Sequence, residues 1–196
     1  LKLYKIKSNL VNYDTNALEN SFDFTHESEN LFFGLKASAY ESLTNVSDDK
    51  YEYILPELVL NRNLMSNNKF GILDLQSNLK VRSYETNKQT TFLVNDFDWL
   101  FKNFIFDSGI KSSLLANIKN VNYETNNEQK YKNEFTNELF GAIGLLSEVN
   151  LYKNNNSAKH LLTPKILLRY APGHMRKEDN GFRLNNLNIF NMNRID

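Results

Sequence analysis

From Leu73 to Arg82 the odd positions Leu73, Leu75, Leu79 and Val81 are apolar, and the even positions Asp74, Gln76, Asn78, Lys80 and Arg82 are polar. A period of two sorts these sets onto opposite sides of an extended chain, because successive side chains of a strand point to opposite faces. The pattern recurs from Leu139 to Tyr152, where Leu139, Ile143, Leu145, Val149 and Leu151 oppose Glu138, Gly144, Glu148 and Asn150. It recurs again from His160 to Tyr170, where Leu162, Ile166, Leu168 and Tyr170 oppose Lys159, Thr163, Lys165 and Arg169. Fainter versions run over residues 31–43, 51–64, 90–106 and 111–123, and the first 25 residues read as strand as well. Helical three-four spacing is nearly absent.

The connectors are residues 46–49, 66–68, 86–88, 125–129 and 154–157, short and rich in Asn, Asp and Ser, as hairpin turns are. Parallel strands need crossovers of a dozen residues or more, which these intervals do not supply. The expected fold is therefore all-β, an antiparallel meander of seven to nine strands with no linker between domains, residues 1–196 forming a single segment. Strand length narrows it further. Globular strands average about 5 to 6 residues, and these run two to three times longer. Long alternating strands with tight turns suit an incomplete segment of a large transmembrane β-barrel, in which about 9 to 11 residues cross the bilayer with an apolar face to lipid and a polar face to a wet lumen. Asp74, Lys80, Arg82, Glu148, Lys165 and Arg169 are then the lumen-facing candidates. A soluble β-sandwich alternates too, with its apolar set turned to a dry core, and remains the competing reading.

Composition removes other classes. The chain carries 23 basic and 23 acidic residues, so it has no bulk attraction for nucleic acid or anionic lipid. It has no cysteine, hence no disulfide or thiolate site within this span. Glycine and proline are scarce at 7 and 3, while asparagine makes up roughly one residue in six, well above its ordinary share. Nowhere do about 18 apolar residues run uninterrupted, as a transmembrane helix requires. The chain opens at Leu1 without a signal peptide, which leads us to expect an upstream part carrying export signals.

Catalytic and metal chemistry find little footing. His26, His160 and His174 are dispersed. Asp96 and Asp98 flank Phe97 at strand spacing, a separation that suits a glycosidase pair but also an ordinary polar face. Gly141 and Gly144 lie in a strand pattern, where packing or a bend is the expected role. No enzyme and no cofactor are expected. Tyr51, Tyr53, Phe101, Phe104, Phe106, Tyr123 and Tyr152 lie toward strand ends, where membrane barrels carry aromatic girdles.

The run His160-Leu161-Leu162-Thr163-Pro164-Lys165, then Arg169-Tyr170-Ala171-Pro172-Gly173-His174-Met175, then Asn186 to Asp196 with its Phe190-Asn191-Met192-Asn193-Arg194, resembles the barrel domain of the LptD family. Tyr53-Ile54-Leu55-Pro56-Glu57, Asn95-Asp96-Phe97-Asp98-Trp99 and Ser108-Gly109 followed by Asn122-Tyr123 are similar to earlier pieces of the same barrel, over residues 30–196, with an alphaproteobacterial texture. The resemblance implies lipopolysaccharide assembly in the Gram-negative outer membrane, by a non-enzymatic conduit that passes the sugar while the lipid enters the outer leaflet. It implies as partners lipopolysaccharide, an LptE-like lipoprotein plug, the periplasmic Lpt bridge and outer-membrane lipid. It also implies a periplasmic domain and further strands outside this span. Another outer-membrane barrel, a porin or receptor, and a carbohydrate-binding sandwich are the alternatives.

Within the motif, Pro164 has no N–H to give a ladder, so a bulge or an unpaired carbonyl is expected beside it. Pro172 ends its strand. The apolar Leu187, Ile189, Phe190 and Met192 are expected to cover part of a lumen mouth while the Arg194 guanidinium, with Asn193 beside it, bonds carboxylates or carbonyls, or else Arg194 simply fixes a loop.

Overall fold

The computed structural model describes residues 16–43, 50–85, 87–155, 158–172 and 189–192. Among these there is no helix. The strands are β1 (Ala17–Ser28), β2 (Leu31–Ser42), β3 (Tyr51–Asn67), β4 (Gly71–Tyr84), β5 (Lys88–Leu100), β6 (Phe104–Ile105), β7 (Ile110–Asn126), β8 (Thr136–Val149), β9 (Leu151–Asn155), β10 (Ala158–Leu162) and β11 (Lys165–Tyr170). The main sheet runs β1-β2-β3-β4-β5-β7-β8-β11, with the two-residue β6 pairing to β7. β9 and β10 form a separate two-stranded ladder. The sheet is thus an antiparallel meander, and β1 and β11 end its order without pairing to each other.

Two long segments that alternation reads as single strands are each cut in two. The Leu139–Tyr152 segment breaks at Asn150 and the His160–Tyr170 segment at Thr163-Pro164. The breaks face each other. Lys165 pairs with Glu148 on one side and Leu162 with Leu151 on the other, one register carried through the gap. Across it Val149 N–H donates to the Pro164 carbonyl at 3.2 Å, and the return bond cannot form because proline has no N–H. The Thr163 hydroxyl donates to Asn150 Oδ1 at 2.8 Å. Pro164 therefore sits between two strands rather than inside one.

Turns follow the chemistry of their residues. Gly71 opens β4 at φ 85°, and a Cβ there would lie 2.1 Å from the Leu100 carbonyl oxygen, so only glycine fits. Glu85 and Asn87 also take positive φ at the β4–β5 turn.

The chain divides into two compact units. The first holds β1, β2 and residues 51–61, 77–94 and 121–138; the second holds residues 62–76, 95–120, 139–155, β10, β11 and 189–192. In the first, β1 and β2 pair over twelve consecutive positions from Ala17↔Ser42 to Ser28↔Leu31. This register puts Phe22 and Phe24 beside Ala37 and Leu35 on one face, and Glu19, Ser21 and Asp23 beside Tyr40, Ser38 and Lys36 on the other. In the second, the β8–β11 register puts Ile166, Leu168 and Tyr170 beside Ser147, Leu145 and Ile143 on one face, and Lys165, Leu167 and Arg169 beside Glu148, Leu146 and Gly144 on the other.

Candidate functional site: the polar face

On several strands of each unit, though not on β4, the usual relation of polarity to burial is inverted. A water-soluble domain hides its apolar residues. Here the apolar sets stand out: Phe22 is 61% exposed in the first unit, and Leu139 and Leu168 are 69% and 65% exposed in the second. The buried side chains are largely polar. They include Ser38, Thr90 and Thr125 in the first unit, and Asp96, Ser113, Asn117 and Lys119 in the second.

Polar side chains crowded together demand partners, since an unpaired buried donor or acceptor costs about 1–3 kcal/mol. In the first unit Lys80 Nζ lies 3.6 Å from Glu57 and Arg82 Nε 2.5 Å from Glu52. The Arg82 guanidinium also sits over the Tyr84 ring, 4.0 Å from its centre. The Tyr84 hydroxyl donates to Glu128. That bond, with the Lys130 backbone N–H, holds the Glu128 carboxyl below the ordinary glutamate range. Phe92, Tyr123 and Tyr131 form an aromatic cluster, with Phe92 and Tyr123 stacked at 5.5 Å and Tyr131 edge-on to Phe92.

In the second unit Asn63 donates to Asp74 at 2.7 Å, and Asn117 donates to Asp98 at 2.8 Å. Lys119 Nζ is 3.8 Å from Asp96, the pair being nearly covered. Glu148 is shared by Lys165 at 3.0 Å and Lys111 at 3.4 Å. Arg169 Nε donates to the Met192 carbonyl at 3.0 Å. Met192 itself is buried over Gly144, where a Cβ would meet its sulfur at 2.6 Å. The glycine is the notch that admits the segment.

All six charged candidates from the alternation therefore occupy the polar side of their strands and each has a partner. Asp74, Glu148, Lys165 and Arg169 fall in the second unit, Lys80 and Arg82 in the first. Pro172 follows β11 and is exposed; Asn193, Arg194 and His174 lie outside the described residues. Asp96 and Asp98 share a side of β5, and each is tied to β7 by a lysine or an asparagine. Tyr123 departs from the expected girdle. At 1% exposure it is packed on Phe92 instead of facing outward, since its odd position in β7 puts it with Asn117 and Lys119. Tyr51, Tyr53, Phe104, Phe106 and Tyr152 are exposed.

Sequence reading missed the partners Glu52, Glu57, Lys111 and Lys119. Their signal was available across hairpins rather than along strands: folding β3 back on β4 sets Glu57 against Lys80. Among the described residues no group of three or more His, Asp or Glu could hold a metal ion. What the polar side of each unit offers is carboxylates, ammonium groups, amides and hydroxyls, all able to hydrogen-bond a hydrated polar group. Ser38 Oγ and Asp96 Oδ1 are buried without a protein partner, sites that water suits.

Compared with known protein families the chain matches no family model, and compared with curated proteins it matches none.

Proposed function

We propose that the chain is a membrane-spanning piece of an outer-membrane β-barrel, whose polar face lines a passage for hydrated cargo, and that this cargo is lipopolysaccharide. The observation that carries the barrel reading is that large apolar side chains such as Phe22, Leu139 and Leu168 stand exposed while Ser38, Asn117 and Lys119 are buried. Lipid accepts the first arrangement and water or cargo the second. β4 keeps the ordinary order, with Asp74, Gln76 and Lys80 exposed and Leu73, Leu75 and Leu79 half-buried. A sandwich would bury Leu139 and Leu168, which are exposed. The antiparallel meander of long strands suits the same reading.

The cargo reading rests on the motifs from His160 to Asp196, which resemble the LptD family. On that reading the function is transport, not catalysis. The sugar of the glycolipid moves along hydrogen-bonding walls that include Lys80, Arg82, Glu148 and Lys165, an LptE-like lipoprotein plugs the barrel, and the periplasmic Lpt bridge delivers the load.

Single cysteines test the first half cleanly, because the chain has none. In vesicles, Lys165→Cys should react with a membrane-impermeant maleimide and Leu168→Cys should not until detergent is added. Equal labelling of both would reject the membrane assignment. A photo-crosslinking residue at Lys80 should then capture lipopolysaccharide in Gram-negative cells. Loss of that capture, with the labelling contrast intact, leaves a barrel with a different cargo.

A further inference from the structure

The first unit carries a groove that the polar-face reading does not use. It lies where β3 begins, β4 ends, β5 begins and β7 ends, an open depression of about 470 Å³, a volume within the range of about 300–1,000 Å³ typical of small-molecule sites. Tyr51 and Tyr53 form one wall. Their rings lie 6.4 Å apart and 20° from parallel, a loosely stacked pair with Lys50 Nζ 5.4 Å from the Tyr51 ring centre, and they are 51% and 42% exposed. Ser83, Asn87, Gln89 and Asn126 line the groove as well. These side chains combine donors and acceptors in one place.

The cations at the groove are already matched. Lys50 Nζ is 2.7 Å from Glu41, and Lys88 is bonded to Glu85. Beside them, Arg82 is held by Glu52. An anion gains little where each positive charge has its own carboxylate. A long apolar ligand would leave the amides and hydroxyls unpaired. The ligand that answers both requirements has a flat, weakly polar C–H face for the tyrosines and a rim of hydroxyls for the amides.

We propose that this groove binds the pyranose rings of a neutral glycan, with Tyr51 and Tyr53 as the stacking platform and Asn87, Gln89 and Asn126 bonding hydroxyls. The site is independent of the membrane reading, since it rests on the groove alone. The Glu85 and Asn87 backbone, both at positive φ, sets the turn that carries Asn87 to the rim.

The test is saturation-transfer NMR on the full chain refolded in dimethyldodecylamine-oxide micelles, which carry no sugar, with cellobiose as the neutral probe and glucose 6-phosphate as the anionic one. Cellobiose should give saturable transfer, strongest at its ring C–H protons. The double variant Tyr51→Ala/Tyr53→Ala should weaken binding about tenfold or more. Asn126→Ala, at a strand end, should weaken it several-fold in a chain that keeps its fold, and so serves if the tyrosine variant does not refold. Absence of cellobiose transfer, transfer unchanged in the folded variants, or binding of glucose 6-phosphate without cellobiose would overturn the proposal.

Discussion

The two hairpins that end the described sheet make a useful pair. β1 and β2 run through twelve uninterrupted pairs, and their polar side carries the Lys36–Glu19 bridge at 2.9 Å, with Tyr40 donating to the same carboxylate. The hairpin of β8 and β9 with β10 and β11 has comparable length but loses its ladder at Asn150 and Pro164, and its polar side is roofed by Met192. Both expose an apolar face. The contrast teaches that which face is apolar and whether the ladder is continuous are separately encoded. Side-chain alternation sets the first; one backbone N–H, present or missing, sets the second.

The largest expected effect tests what the hairpins share. Arginine at Leu168 of β11 or at Phe24 of β1 should each cost about 2–4 kcal/mol of folding free energy in phosphatidylcholine vesicles, if both faces meet lipid near its midplane. A loss at only one of them would break the comparison, and denaturant titration would show it. Next come the glycines. Gly144→Ala should cost about 1–2 kcal/mol, because its Cβ would meet Met192 and, at 3.2 Å, the Leu168 carbonyl. Gly34→Ala in β2 meets the Phe32 ring at 3.4 Å and Val59 Cβ at 3.9 Å, both ordinary contacts, and should be neutral or stabilising by about 0.5 kcal/mol.

Pro164→Ala sharpens the contrast in the other direction. It restores the missing donor opposite Val149, a bond worth about 0.5–1.5 kcal/mol, and should slow amide exchange on β9 and β10 while leaving β1 and β2 unchanged. The smallest effect belongs to the loop that feeds β8. Glu128 has a depressed carboxyl, so its bond from Tyr84 is present above the unfolded glutamate value and is lost as pH falls through the lower, folded one. The protection of the Lys130 amide, which donates to Glu128 at 3.2 Å, measured against its intrinsic exchange rate at each pH, should fall as pH drops through that lowered value, with no change in the β1–β2 ladder.

Much of this was legible in the chain and some was not, for identifiable reasons. The faces of β4 and β8 were plain because apolar and polar residues mostly alternate there, with exceptions such as Ile72 in β4 and Leu146 and Ser147 in β8. β1 read only weakly, since Ser21, Thr25 and His26 blur its period, yet its ladder is the unbroken one. The breaks at Asn150 and Pro164 were half legible: proline announces a lost bond, but only the partner strand's register shows Asn150 opposite Thr163. The burial of Tyr123 depends on its neighbour Phe92 across the sheet, and Gly71 on the approach of the Leu100 carbonyl, and neither contact is written in local sequence. The bridges from Glu52 and Glu57 were hidden for a third reason, visible in β3 itself.

Glu52 and Glu57 are five positions apart, so regular alternation would send them to opposite sides, yet both pair with even-numbered residues of β4, Arg82 and Lys80. Exposure changes step at the same place. Tyr51, Tyr53 and Leu55 stand out before Pro56, and Arg62, Leu64 and Ser66 after it. β3 is thus read in two frames that change between Glu52 and Glu57, like a message with one letter inserted. Without the shift, a chain in phase with Glu57 would turn Tyr51, Tyr53 and Leu55 in among the charges and leave Glu52 on the apolar side. A substitution scan along β3 should therefore change grammar midway: charge tolerated at even positions up to Ile54 and at odd positions from Glu57 to Asn61, beyond which the exposed Arg62 already puts a charge at an even position. Deleting one residue between Glu52 and Glu57 would rewrite every position on one side of the deletion, which makes this short stretch the place where the strand's two halves agree on what counts as inside.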